Sequence, residues 1–156
     1  MLRDFAAYLQ KKGPFMKKKP HTQPNAAAEK KNEPYHRTLT TSGYAPVNGL
    51  QVYYEIHGGP KGKSLPLVLL HGGGSTIETS FGKVLPSLAK ARQVVAFEQE
   101  GHGCTADRNR PFTFDQSAED TVALLRHLRI ERADFFGYSN GGHIALQIAI
   151  GHPDLV

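Results

Sequence analysis

From about Ser42 onward the chain is built of short apolar runs divided by glycine-rich turns and interspersed with amphipathic stretches. Tyr44-Ala-Pro-Val47 and Leu50-Gln-Val-Tyr-Tyr-Glu-Ile56 flank Asn48-Gly49. Asn-Gly is a favoured centre for a two-residue turn because both residues tolerate positive φ, so an opening antiparallel hairpin is expected. Leu67-Val-Leu-Leu70 is uninterrupted apolar sequence ending in His71-Gly72-Gly73-Gly74, the pattern of a strand buried on both faces followed by a side-chain-free loop. Phe81, Val84, Leu85 and Leu88 share one helical face and predict a helix over Phe81 to Ala91. Gln93 to Phe97 predicts a second buried strand, which runs into the Gly101-His102-Gly103 turn. Ala118, Val122, Leu125 and Leu128 predict a long helix from Asp115, with Asp115 placed to cap or favour its N-terminal end. A third buried strand is expected over Ala133 to Tyr138, and a helix over Ile144 to Ile150 that stops near Gly151-His152-Pro153. Strands alternating with helices imply an α/β fold, mostly a parallel sheet joined by right-handed crossovers, with the antiparallel hairpin at its start. No internal repeat interrupts this order.

Composition narrows the picture. With 156 residues, 39% of them hydrophobic, there is enough chain for one domain with a core and too little for two. The single cysteine, Cys104, excludes internal disulfides and multi-cysteine metal sites. No run approaches the roughly 18 apolar residues of a membrane span, and the first 30 residues lack the apolar core, roughly 7 to 15 residues long, of a secretory signal. The expected setting is cytoplasmic, with no membrane span, metal or cofactor. The net charge of +5 comes from one end: residues 1–37 hold nine Lys and Arg against three acids, together with Pro14, Pro20, Pro24 and Pro34. Residues 1–41 therefore read as a disordered basic arm, with no nucleic-acid partner expected. Met16, followed by three lysines, is an alternative start.

The sharpest chemical signal is Gly137-Tyr138-Ser139-Asn140-Gly141, set between a predicted strand and a predicted helix. In a G-x-S-x-G elbow the serine occupies a strained turn that lifts its hydroxyl clear of the sheet. Cβ atoms two residues to either side would collide with the strand and helix meeting there, hence Gly137 and Gly141. Acyl transfer through a serine also needs two hydrogen-bond donors at the carbonyl oxygen. One is the amide after the nucleophile, Asn140; the other is expected from the earlier glycine loop, at Gly73 with Gly74 as a further candidate. A phosphate-binding reading of that loop lacks both G-x-G-x-x-G and a Gly-Lys-Ser/Thr step.

In order along the chain, Tyr54-Glu-Ile-His-Gly58, the His71–Gly74 block, Val94-Val-Ala-Phe-Glu-Gln-Glu-Gly-His-Gly103, the Ser139 elbow and His152-Pro153-Asp154 resemble the α/β-hydrolase superfamily of the fold-1 type. The resemblance covers about Gly43 to Val156. The family usually has Asp where this chain has Glu98. A serine nucleophile is similar to the esterase, lipase, thioesterase, peptidase and carbon–carbon hydrolase branches. The implied activity is hydrolysis of an ester or similar acyl bond in a small molecule, with Ser139 as nucleophile and the amides of Gly73 and Asn140 as oxyanion hole.

The family order is nucleophile, acid, histidine, and downstream of Ser139 stand only Asp154, His143 and His152. His143 lies one turn along the serine's own helix, and His152 and Asp154 fall more than roughly 15 Å away by helical rise. None suits the role of triad partner. His71 is expected to organise its loop, His102 to be structural and Cys104 inert. Residues 42–156 are thus expected to be the N-terminal part of the hydrolase domain, ending after the nucleophile helix and inactive alone. The last strand would then be an apolar edge prone to self-association. The other reading is a non-enzymatic module that keeps the fold as a ligand- or partner-binding surface.

Overall fold

The computed structural model describes residues 38–156; the expected basic arm lies outside them as far as residue 37. Strands β1 (Leu39–Val47) and β2 (Leu50–His57) form the expected hairpin, with Val47 opposite Leu50. Its turn has φ of 47° at Asn48 and 81° at Gly49, the left-handed pair that Asn-Gly favours. The chain continues as β3 (Leu67–Leu70), α1 (Ile77–Phe81), α2 (Leu85–Ala91), β4 (Val94–Phe97), α3 (Phe114–His127), β5 (Asp134–Gly137) and α4 (Asn140–Gly151), ending in a single 3₁₀ turn, Pro153–Leu155.

The sheet order is β1-β2-β4-β3-β5. β1, β2 and β4 pair antiparallel, and β4, β3 and β5 pair parallel, as expected for an α/β fold that opens on a hairpin. Alternate residues of the buried strands face opposite layers. Leu67, Leu69, Val94 and Ala96 pack on Ile77 and Phe81 of α1 and on Leu85 and Ala89 of α2. Val68, Leu70, Val95 and Phe97 pack on Val122 and Leu125 of α3 and on Ile144 and Ile148 of α4. Each fully buried aliphatic side chain of this kind contributes about 1.5–3 kcal/mol relative to exposure. β3 and β5 lead to helices on different layers, the kind of switch point at whose crevice open α/β sheets bind ligands.

Three expectations change. The single helix over Phe81 to Ala91 is two helices broken at Gly82–Val84, and Val84 is 48% exposed instead of sharing the buried face. Pro86 explains the break: without an N–H it is tolerated in the first turn of α2, where it sits, and not in a helix interior. Of the two roles expected of Asp115, the cap belongs instead to Thr113, whose Oγ1 accepts the Gln116 amide, and Asp115 favours the N-terminal end from the first turn. β5 is half-exposed at the sheet edge, with Phe136 51% exposed.

Four side chains clamp the long β4–α3 connection. Arg108 binds Glu100 with Nε and Nη2 at 2.7 and 2.8 Å and reaches Asp120 of α3 at 2.7 Å. Arg110 engages the same two carboxylates, and the bonds from Arg108 first and Arg110 second hold the Glu100 carboxyl at about 2 instead of 4.5. Asp120 also accepts from Asn48, which ties the hairpin turn to α3. Among the described residues no helix is long and apolar enough to cross a membrane, and no cluster of three metal-binding side chains occurs.

Candidate active site

Ser139 joins β5 to α4 with φ 53° and ψ −118°, a backbone conformation that a non-glycine residue holds only under strain. The turn closes because both flanking glycines give up a side chain. A Cβ on Gly137 would stand 2.2 Å from the Gly141 carbonyl oxygen, and one on Gly141 would stand 1.9 Å from the Leu70 carbonyl oxygen. Ser139 is exposed at the N-terminus of α4, and among the described residues its hydroxyl makes no hydrogen bond.

The His71–Gly74 loop lies against this turn. A Cβ at Gly72 would meet Ser139 Cβ at 3.4 Å, and one at Gly73 would meet the Asn140 side-chain nitrogen at 2.4 Å. The loop is held from below. His71, fully buried, donates from Nδ1 to the Gly72 carbonyl (2.8 Å) and accepts the Gln99 amide at Nε2 (3.0 Å). Gln99 Nε2 returns a bond to the His71 carbonyl at 2.7 Å. The Gly72 carbonyl also accepts from the Ser75 hydroxyl, 2.7 Å away. Three donors thus pin that carbonyl inward, counting the longer bond from the Ser75 amide. In a planar trans peptide the N–H opposes the C=O, so the Gly73 amide is turned the other way.

Among the described residues neither the Gly73 nor the Asn140 backbone amide has a hydrogen-bond partner. Gly74 differs: its amide donates to His102 Nε2 at 2.9 Å, while His102 Nδ1 donates to the Glu100 carbonyl at 2.8 Å. His71 and His102, with ring centroids 5.0 Å apart, therefore hold the loop with the same tautomer. Burial lowers the His71 pKa from 6.5 to about 4, in keeping with a ring that accepts at Nε2.

Glu98 supports the loop from the other side. Its Oε1 accepts the Ile77 amide at 3.1 Å. Its Oε2 is buried without a hydrogen bond, 3.5 Å from His71 Nε2. Burial raises this carboxyl from 4.5 to about 7, and because His71 Nε2 is already an acceptor the two do not form an ion pair. Gly103, at φ 52°, makes room for it, since a Cβ there would lie 2.5 Å from Glu98 Cδ. Glu98 and Gln99 went unread as site residues in the sequence. Their only signal is a polar Glu-Gln-Glu run directly after a buried strand.

Of the remaining histidines, His143 stacks on Phe114 with ring centroids 4.9 Å apart, its Nδ1 3.4 Å from the Ser139 carbonyl oxygen. His152 caps the far end of α4 and binds Glu119 at 2.7 Å. Asp154 lines a cavity of about 660 Å³ beside the Pro153–Leu155 turn, at the end of α4 away from Ser139. Cys104 is exposed.

A family model described as alpha/beta hydrolase fold matches residues 66–156. The proline iminopeptidase of Clostridioides difficile (strain 630) is 36% identical over 113 residues, which cover 70% of this chain and 38% of that protein. The magnesium-chelatase 30 kDa subunit of Rhodobacter capsulatus is 36% identical over 124 residues, covering 78% of this chain and 41% of that one. Among solved structures, the enol-lactonase from Burkholderia xenovorans LB400 aligns with a TM-score of 0.68 at 31% identity, over 72% of this chain and 43% of the lactonase. The chain spans about two fifths of the length of these relatives.

Proposed function

Because the chain belongs to the α/β hydrolase fold family, we propose that it carries the nucleophile and oxyanion hole of a serine hydrolase acting on an ester or similar acyl bond. Ser139 Oγ adds to the substrate carbonyl, and the amides of Gly73 and Asn140 receive the oxyanion. The alcohol then leaves with the serine's proton, and water releases the acid from the acyl-enzyme. One observation carries this reading: two backbone amides without a partner among the described residues flank an exposed serine held at φ 53°. Gly74 falls out of the donor set because its amide already serves His102.

The proton on Ser139 needs a base, and the four histidines described above have other engagements. The 156-residue chain alone is therefore proposed to acylate slowly and not turn over. p-Nitrophenyl acetate tests this: a slow release of one equivalent that vanishes in Ser139→Ala is expected. Release unaffected by Ser139→Ala overturns the serine reading, and sustained turnover by the wild-type chain overturns the proposed inactivity.

The same lack of an acid–histidine pair at Ser139 among the described residues favours a second reading, a non-enzymatic module that binds a ligand or partner in the crevice. Ligand binding that is indifferent to Ser139→Ala would support that alternative.

A further inference from the structure

Asn140 brings a side chain to the site as well as a main-chain amide. A Cβ on Gly73 would stand 2.4 Å from its Nδ2, 3.3 Å from its Cγ and 3.9 Å from its Oδ1, so the carboxamide lies against Gly73 with its donor end foremost. Covalent geometry then puts Nδ2 within about 5 Å of both the Gly73 and the Asn140 main-chain nitrogens. Those are the two amides proposed to receive the oxyanion, and neither has a partner among the described residues. The carboxamide is equally unengaged: no hydrogen bond joins it to another described residue. At the starts of α1 and α3 the hydroxyls of Thr76 and Thr113 turn back onto amides of their own helices. Asn140, the first residue of α4, makes no such bond, although an asparagine at a helix start ordinarily bonds nearby main chain. Its carboxamide reaches across to the loop after β3 instead.

We infer that the Asn140 carboxamide is a third hydrogen-bond donor to the carbonyl oxygen of the acyl group, beside the amides of Gly73 and Asn140. The inference rests on Ser139 being the nucleophile. It gives Gly73 a second reason to lack a side chain, since the bare Cα admits the carboxamide as well as the substrate. As negative charge gathers on that oxygen in the tetrahedral state, an N–H donor beside it binds more strongly, and a carboxylate in its place would repel it.

Boronic acids read this directly, because boron takes the serine oxygen into a reversible tetrahedral adduct whose other oxygens stand in for the oxyanion. The 156-residue chain is titrated with phenylboronic acid at pH 8, affinity being read by calorimetry and adduct formation by ¹¹B NMR. Asn140→Leu keeps the bulk and removes the donor, Asn140→Asp keeps the shape and installs an acceptor, and both retain the main-chain amide. The adduct is expected to weaken about ten- to a hundredfold in Asn140→Leu, the range for a hydrogen bond to a charged group, and further in Asn140→Asp. Urea denaturation supplies the contrast. An acidic residue in the first turn favours a helix N-terminus, so Asn140→Asp should be at least as stable as the wild-type chain while binding worst. A side chain that only shaped the turn would lose stability and affinity together. An adduct of wild-type strength in either variant, or a loss of affinity in Asn140→Asp matched by a loss of stability, overturns the third donor. A wild-type chain that shows no tetrahedral boron, or an adduct that persists in Ser139→Ala, overturns the nucleophile assignment instead.

Discussion

Gly141 of the nucleophile helix meets Leu70 of β3 backbone to backbone, so closely that a methyl group on Gly141 would stand 1.9 Å from the Leu70 carbonyl oxygen. Only rigid main chain lies in the way, and no side chain can swing aside. Gly141→Ala is expected to destabilise the fold by at least about 1–3 kcal/mol, the usual range for overpacking. It should also disturb the Ser139 turn. Urea denaturation alongside Ser139→Ala separates the two effects, since the serine change should leave stability nearly unaltered.

Glu98 makes stability depend on pH in an unusual direction. Its carboxyl is raised from 4.5 to about 7, so between those values the folded chain holds more protons than the unfolded one, and stability falls as pH rises through that window. His71, lowered from 6.5 to about 4, works the opposite way, adding stability as pH rises from 4 to 6.5. Above pH 6.5 the Glu98 contribution falls by more than the remaining His71 contribution rises. The Tm of the wild-type chain is expected to decline from pH 6.5 to 8, and that of Glu98→Gln to stay level or rise slightly. A parallel decline in both would show that another group is responsible.

Glu100 governs the acid limb. Bonds from Arg108 and Arg110 hold its carboxyl near 2, so its contribution is complete above pH 4.5 and is lost as pH falls toward 2. Arg108→Ala removes bonds to Glu100, Asp120 and the Asn48 carbonyl together. It is expected to cost about 1.5–3 kcal/mol, the range for hydrogen bonds to charged groups. Thermal melts at pH 7 and pH 3 check it: the difference between wild type and variant should shrink at the lower pH.

Among the described residues the outer edge of β5 has no neighbouring strand, and Phe136 beside it is half-exposed. We expect the 156-residue chain to self-associate through it, and Phe136→Lys to lower the apparent mass in light scattering, because a charge on an edge strand blocks pairing. A wild-type chain that is monomeric at all concentrations would refute this.

The elbow was legible in the sequence because its demands are local: Gly137, Ser139 and Gly141 sit in one turn, and the backbone contacts that exclude side chains there follow from the strand and helix on either side. The Asn48-Gly49 hairpin was legible for the same reason. What holds the oxyanion loop was not. Gln99 and Glu98 reach His71 and Ile77 from 28 and 21 residues away, and no periodicity marks a residue whose partner is so distant in sequence. Pro86 was a readable signal of the break between α1 and α2, overridden by the apolar spacing of Phe81, Val84 and Leu85. The edge position of β5 was expected from the sequence; the degree of exposure it gives Phe136 was not.

Leu70 and Gly137 are paired across β3 and β5, and the two proposed oxyanion donors, Gly73 and Asn140, each lie three residues beyond one member of that pair. Both donors therefore set out from adjacent strands, about 4.8 Å apart in the hydrogen-bonding direction. The ladder fixes where the two loops start and the His71, Ser75 and Gln99 bonds fix how the Gly73 amide is turned, so the donor pair depends on both.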